Sequence, residues 1–284
     1  MPQLNTREVR LYGVDIVRSV ADLIRSYGFD VHQPVSLRST NNVVVWLSPS
    51  PVVAKLSEHH VTARRELAIA GQLVELAAPV IHPFQLGVEQ PVIIDKRTVT
   101  FWSYEPQDLI DELGSGLIAD CLYRLHASLS LIRARERLPS FAESLVAAVR
   151  SLEQSDFAAE LAEPDRTLLR GTLVDGITRL EQIAGSERVI HGSPHRLNIL
   201  SVDGAPTFID FETVAIGPPE WDLAHLEPEV ADLYPGDLDR VTLDLCRVLV
   251  SAATSTWCWQ ALDRGPDMRR HAQHHLGVVR STRS

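Results

Sequence analysis

One stretch constrains this chain more than any other: VIHGSPHRLNILSVDGAPTFIDFE, residues 189–212. Its apolar runs are Val189–Ile190, Ile199–Val202 and Thr207–Ile209, and Asp203-Gly204 between the last two is the signature of a two-residue β-hairpin turn. Asn198 and Asp210 therefore fall at opposite ends of one tight hairpin. An amide oxygen and a carboxylate on adjacent strands suit a hard cation such as Mg²⁺, which keeps several waters and takes one or two protein ligands together with substrate phosphates.

The segments around this hairpin divide by periodicity. Ile16, Val17, Val20, Leu23, Ile24 and Tyr27 recur at helical spacing and stop at Gly28, which predicts an N-terminal amphipathic helix. Strand-like runs follow at 43–47, 52–56, 92–94 and 98–102, with a helix over 62–76 inserted among them. From Leu109 onward the spacing predicts long helices over 117–129, 141–153, 166–183 and 239–262, interrupted by the hairpin. The fold class is α+β: a small β-rich first part, then a mainly helical second part.

Lysine usage singles out one residue. The chain has 25 Arg and two Lys, so almost every cationic position is an arginine. Lys55 closes the apolar run Val52-Val53-Ala54, as a lysine does at the end of a buried kinase strand of the V-A-I-K type. Glu66 follows on the next predicted helix. In kinases such a lysine holds the α and β phosphates and a helix glutamate orients it. Lys96 lies in the turn Asp95-Lys96-Arg97 and reads as exposed.

HGSPHRLN, residues 191–198, resembles the H-G-D-x-H-x-x-N loop of the aminoglycoside phosphotransferase and choline kinase superfamily at every fixed position but one. Ser193 stands where that loop has Asp. IDFE at 209–212 and GPPEWDLA at 217–224 are similar to the family as well, in the same order and at the same spacing. The resemblance extends over residues 35–260 and implies a two-lobed, protein-kinase-like fold. Its first lobe would be residues 1–103 and bind the nucleotide; its second, 104–284, would be helical and carry the hairpin region 189–212. It implies Mg²⁺ held by Asn198 and Asp210, ATP or GTP as phosphoryl donor, and a small-molecule acceptor. Lys55 and Glu66 would serve the phosphates, and Trp102, Ser103 and Tyr104 at the joint would serve the base. Asn41, in the RSTNN loop of residues 37–43, would reach the phosphates; that loop contains no glycine.

Ser193 is the departure that matters, because a serine hydroxyl is too weak a base to take an acceptor proton at neutral pH. General-base catalysis is worth roughly 10²–10⁴-fold, so its loss can nearly silence a kinase, while phosphoryl transfer still runs largely on positioning and charge neutralisation. His195 and Glu212 are candidate substitutes, although His195, like His191, also reads as a brace of the loop. The sequence argues against a hydrolase built on Ser193: a nucleophile elbow uses the backbone N–H of the next residue, and Pro194 has none. A nucleotide-binding pseudokinase with a regulatory or scaffolding role is the alternative, and it accounts for Ser193 directly.

Residues 1–105 are charge-balanced, and the formal charge of −10 comes from the remainder, with 17 basic against 27 acidic side chains. That argues against nucleic acid and anionic membranes. It favours a cationic acceptor such as an amino sugar, an amino alcohol or a quaternary amine, although acids scattered on helices also simply keep a protein soluble. With no apolar leader and no membrane-length apolar run, a cytoplasmic location is expected. Cys121, Cys246 and Cys258 read as reduced core residues. Asp222 reads as a brace of the loop, Trp257 and Trp259 as core, and His271, His274 and His275 as a solvated helix face.

Overall fold

The computed structural model describes residues 14–39, 42–106, 113–133, 135–154, 156–183 and 187–282. Contacts divide the chain into two compact units, Met1–Leu113 with Leu200–Glu212, and Gly114–Ile199 with Thr213–Ser284.

The first unit is a five-stranded antiparallel sheet with two helices. Helix α1 (Val14–Ser26) is followed by β1 (Val31–Ser39), β2 (Val43–Pro49), β3 (Val52–Ser57), α2 (His60–Glu75), β4 (Val92–Ile94) and β5 (Arg97–Ser103), and the strand order is β1-β2-β3-β5-β4. Central β3 is buried along its whole length, which is why VVAKLS lacks the polar alternation of a half-exposed strand. Register sorts the two faces. Val43 with Leu56, Val45 with Ala54, and Ala54 with Phe101 are cross-strand partners, and this face packs on Ile16, Val20 and Ile24 of α1. The opposite face carries two rows, Val44–Lys55–Thr100 and Trp46–Val53–Trp102, because successive side chains alternate across a sheet.

Strand β1 was not legible in the sequence. Among the described residues it pairs with β2 alone, and it carries Pro34 and polar residues, the composition tolerated on an edge rather than an apolar rhythm. It runs through Leu37 and Arg38 to Ser39, which shortens the connection expected over 37–43. Tyr27, expected on the helix face, lies just past α1 and is exposed.

The hairpin β7 (Ile199–Val202) and β8 (Ala205–Phe208) forms as expected. Asp203 and Gly204 both have positive φ, +49° and +72°, the conformation a type I′ turn requires. Most of the hairpin belongs to the first unit: Phe208 N–H donates to the Pro79 carbonyl at 2.8 Å and Ile81 N–H to the Phe208 carbonyl at 3.1 Å. The chain thus divides at Leu113, past the joint read from the sequence, and the stretch Leu200–Glu212 returns to the first unit.

The second unit is helical: α3 (Ser115–Leu129), α4 (Ala142–Glu153), α5 (Glu163–Ile183), α6 (Pro219–Leu223), α7 (Pro228–Asp232), α8 (Arg240–Gln260) and α9 (Pro266–Ser281). Asp239 caps α8 by accepting the Thr242 N–H at 2.7 Å, which fixes where that helix begins. Its inner residues Leu245, Cys246, Leu249 and Ala253 form the core with α4, α5 and α9. A two-stranded ribbon, β6 (Arg188–Ile190) against β9 (Ala215–Gly217), frames the motif loop. Val189 and Ile190 therefore pair beyond the hairpin. The three cysteines are free, two of them buried. Among the described residues no helix is long and apolar enough to cross a membrane.

Candidate functional site

In the first unit, Lys55 gathers three carboxylates. Its Nζ lies 2.8 and 2.9 Å from the two Glu66 oxygens, 2.7 Å from Asp210 Oδ1 and 3.4 Å from Glu212 Oε2. The Lys55–Glu66 pair expected from the sequence is therefore formed, and Asp210 joins it. Burial alone would depress the Lys55 ammonium, but Glu66, Asp210 and Glu212 outweigh it and hold the group above the ordinary lysine value. Burial raises Glu66 to about 7 against the pull of Lys55, with Asp210 adding to the rise. Both partners of one ion pair thus move upward. The reason is that Lys55 is surrounded by three carboxylates, while Glu66, the most deeply buried of them, bears the heaviest cost of burial.

Two residues that sequence reasoning missed complete this cluster. Asn42 donates to Glu212 Oε2 at 3.0 Å, and Arg38 approaches Asp210 Oδ2 at 3.8 Å. Arg38 pairs with Val44 across β1 and β2, and Val44 in turn with Lys55; only strand register could reveal that. Asp210 has φ +71°, a left-handed backbone costly for a residue with a Cβ and frequent at functional positions.

The residues expected to serve a base behave unequally. Trp102 is buried and donates its indole N–H to Thr100 Oγ1 at 2.9 Å, so it is a packed member of the Trp46–Val53–Trp102 row. The Ser103 and Tyr104 N–H groups donate to the His82 and Pro51 carbonyls, both at 2.9 Å. Tyr104 stacks on Trp46, with ring centroids 4.0 Å apart and planes 6° from parallel. Asn41 lies outside the described residues.

In the second unit, the motif loop is built around Asp222. This fully buried carboxylate accepts the His191 N–H and the Gly192 N–H, both at 2.7 Å, and His126 Nε2 lies 2.9 Å away. Burial works against its charge, but His126 and the backbone donors prevail and hold Asp222 below the usual carboxylate range. Gly192 has φ +90°, and a Cβ there would sit 2.1 Å from the Thr213 carbonyl oxygen, so the motif glycine is sterically required. Trp221 donates its indole N–H to the Gly192 carbonyl at 2.8 Å. Tyr234 hydroxyl meets His126 Nδ1 at 2.8 Å. His126 was the missed member; its only signal is a histidine at a core position of α3, one turn after Leu122.

Ser193 N–H points to His191 Nδ1 at 3.4 Å, and the Ser193 carbonyl accepts from Asn198 Nδ2 at 2.9 Å. Asn198 is buried, and its amide nitrogen is committed to the loop. His195 precedes the short 3₁₀ turn Arg196–Asn198. Arg196 pairs with Glu227 at 2.9 Å.

Among the described residues no three His, Cys, Asp or Glu side chains assemble into a metal cage. His275, expected in solvent, is partly buried with Nδ1 3.5 Å from Ser251 Oγ, and burial, with His274 and His271, lowers it to about 4. Trp259 is core as expected, whereas Trp257 is exposed.

A model of the phosphotransferase enzyme family matches residues 31–244. Among solved structures, amicoumacin kinase hAmiN in complex with AMP-PNP, Ca²⁺ and Ami is 13% identical, covers 98% of this chain and 96% of its own, with a TM-score of 0.73. The GDP and kanamycin complex of APH(2")-IIia is 17% identical over 94% and 99% of the chains at 0.69. Choline kinase LicA from Streptococcus pneumoniae is 15% identical over 93% and 99% at 0.69. At these identities the likeness establishes a kinase-like fold. No curated protein matches the sequence.

Proposed function

The chain belongs to the phosphotransferase enzyme family, and on that footing we propose that it is a small-molecule kinase, transferring the γ-phosphoryl group of ATP or GTP to a hydroxyl of a small cationic acceptor. The observation that carries this reading is Lys55 clamped by Glu66 and joined by Asp210 at 2.7 Å. A lysine so held keeps its charge and cannot swing away, which is what phosphate positioning demands.

Asp210 and Glu212 are partly exposed hard-oxygen donors. Mg²⁺ needs only one or two protein carboxylates beside substrate phosphates, so this donor set fits it without a cage. Asp210 would hold the ion with Asn198, and the ion would neutralise developing charge on the phosphates. Lys55 orients the phosphates, Glu66 fixes Lys55, and Asn42 holds Glu212. Asn41 is assigned to the phosphates as well. The base lies against the Trp46–Val53–Trp102 row beside Ser103 and Tyr104. The acceptor hydroxyl is presented at Ser193. His195 is assigned to shaping the loop there, and the acceptor's relatives in kind are the kanamycin and choline named for the similar structures.

A second reading rests on Ser193 itself: a nucleotide-binding pseudokinase with a regulatory or scaffolding role. Calorimetric titration with ATP and GTP, with and without Mg²⁺, beside Asp210→Ala, tests the nucleotide site. Saturable Mg²⁺-dependent binding lost in the variant is expected, and unchanged binding in the variant would overturn the metal assignment. Phosphoryl transfer to a panel of amino sugars and amino alcohols then separates kinase from pseudokinase.

A further inference from the structure

We propose that Arg65 is a positioning residue for Asp210, acting through the backbone of the 210–212 turn and resting on the assignment of Asp210 to the metal. Asp210 is held at φ +71°, a conformation it will not keep unless the flanking backbone is fixed. Two adjacent residues of α2 supply that fixing. Glu66 Oε1 accepts the Phe211 N–H at 3.2 Å, and Arg65 Nη2 donates to the Glu212 carbonyl at 2.9 Å. The Phe211 side chain is fully buried between them in sequence, so the turn is pinned by one apolar anchor and by a polar latch on either side of it.

The chemistry of Arg65 argues that the latch is its purpose. Its Nε is buried with no hydrogen-bond partner among the described residues, a cost that an apolar residue of the same length would avoid. Its neighbour Arg64 is exposed and reaches Glu89 at 3.1 Å, as surface arginines ordinarily do. Glu66 is engaged twice, to Lys55 and to Phe211, so α2 sets both the phosphate lysine and the acidic turn. Arg65 then decides how well Asp210 is aimed, while Glu66 decides how well Lys55 is.

The test measures the Mg²⁺ concentration that half-saturates ADP binding in wild type, Arg65→Met, Arg65→Lys and the surface control Arg64→Met, with melting midpoints and amide hydrogen exchange of the ligand-free proteins. Arg65→Met is expected to raise the half-saturating Mg²⁺ on the order of 10-fold, one bond's worth of positioning, and to leave metal-free ADP affinity unmoved. Arg65→Lys restores most of it and Arg64→Met changes nothing. An unchanged Mg²⁺ requirement, or equal loss of the metal-free and Mg²⁺ forms as a merely structural residue would give, overturns the proposal. If the wild type shows no Mg²⁺-dependent binding, the kinase reading falls on its own. The latch is then judged by exchange at Phe211 and Glu212: faster in Arg65→Met alone supports it, and unchanged or uniformly faster throughout the first unit overturns it.

Discussion

The two halves of the family motif are kept in opposite ways. In the first unit the charged groups are gathered: Lys55 sits among Glu66, Asp210 and Glu212, with Arg38 beside Asp210. In the second unit it is the scaffold of the loop that is gathered. Asp222 still receives two loop N–H groups and His126, yet the residue this loop displays is Ser193. Carboxylates gathered at a partly exposed turn favour a cation, whereas a braced loop is stable whatever side chain it presents. The first arrangement therefore speaks for retained binding, and the second is silent about retained catalysis.

The sharpest way to break this contrast is Asp210→Ala, which should abolish Mg²⁺-dependent nucleotide binding in calorimetry while the fold, read by circular dichroism, persists. Next comes Ser193→Asp. If the braced loop lacks only its base, transfer to a competent acceptor should rise by about 10²-fold or more in kcat, and no gain would mean that the base lies elsewhere. Asp222→Asn attacks the scaffold instead: breaking a buried ionic hydrogen-bonded group should cost about 3 kcal/mol in denaturant unfolding. Because the folded Asp222 carboxyl titrates below its unfolded value, its contribution is present above pH 4 or so and lost as pH falls through the folded value, a loss the Asn variant should not show.

The smallest expected effect concerns Glu66. Its folded value near 7 exceeds the ordinary 4.5, so the native state holds a proton that the unfolded chain releases between these values. Stability should rise on the order of 2 kcal/mol as pH falls from 7 toward 4.5, and Glu66→Gln should flatten that slope. A slope of opposite sign would show that Glu66 remains ionised beside Lys55.

Much of this was legible in the sequence. Lys55, Glu66, Asp210 and the Asp203-Gly204 turn announce themselves by local chemistry: a rare lysine ending an apolar run, a carboxylate after a hairpin, a turn pair that tolerates positive φ. Arg38, Asn42, Arg65 and His126 did not, because each acquires its role from a partner distant in sequence. Edge strand β1 was missed for a related reason, since an edge needs no apolar rhythm. The return of Leu200–Glu212 to the first unit was not legible either.

The motif order and the helix and strand periods came from the sequence alone, since both are properties of neighbouring residues and of the few torsions between them. Folding decided that Lys55 is shared among three acids, that Asp222 is held by His126, and that α2 holds the acidic turn by two adjacent side chains. Those are facts of packing: a charge has no environment until the chain has folded around it, and its environment fixes both its protonation and its use.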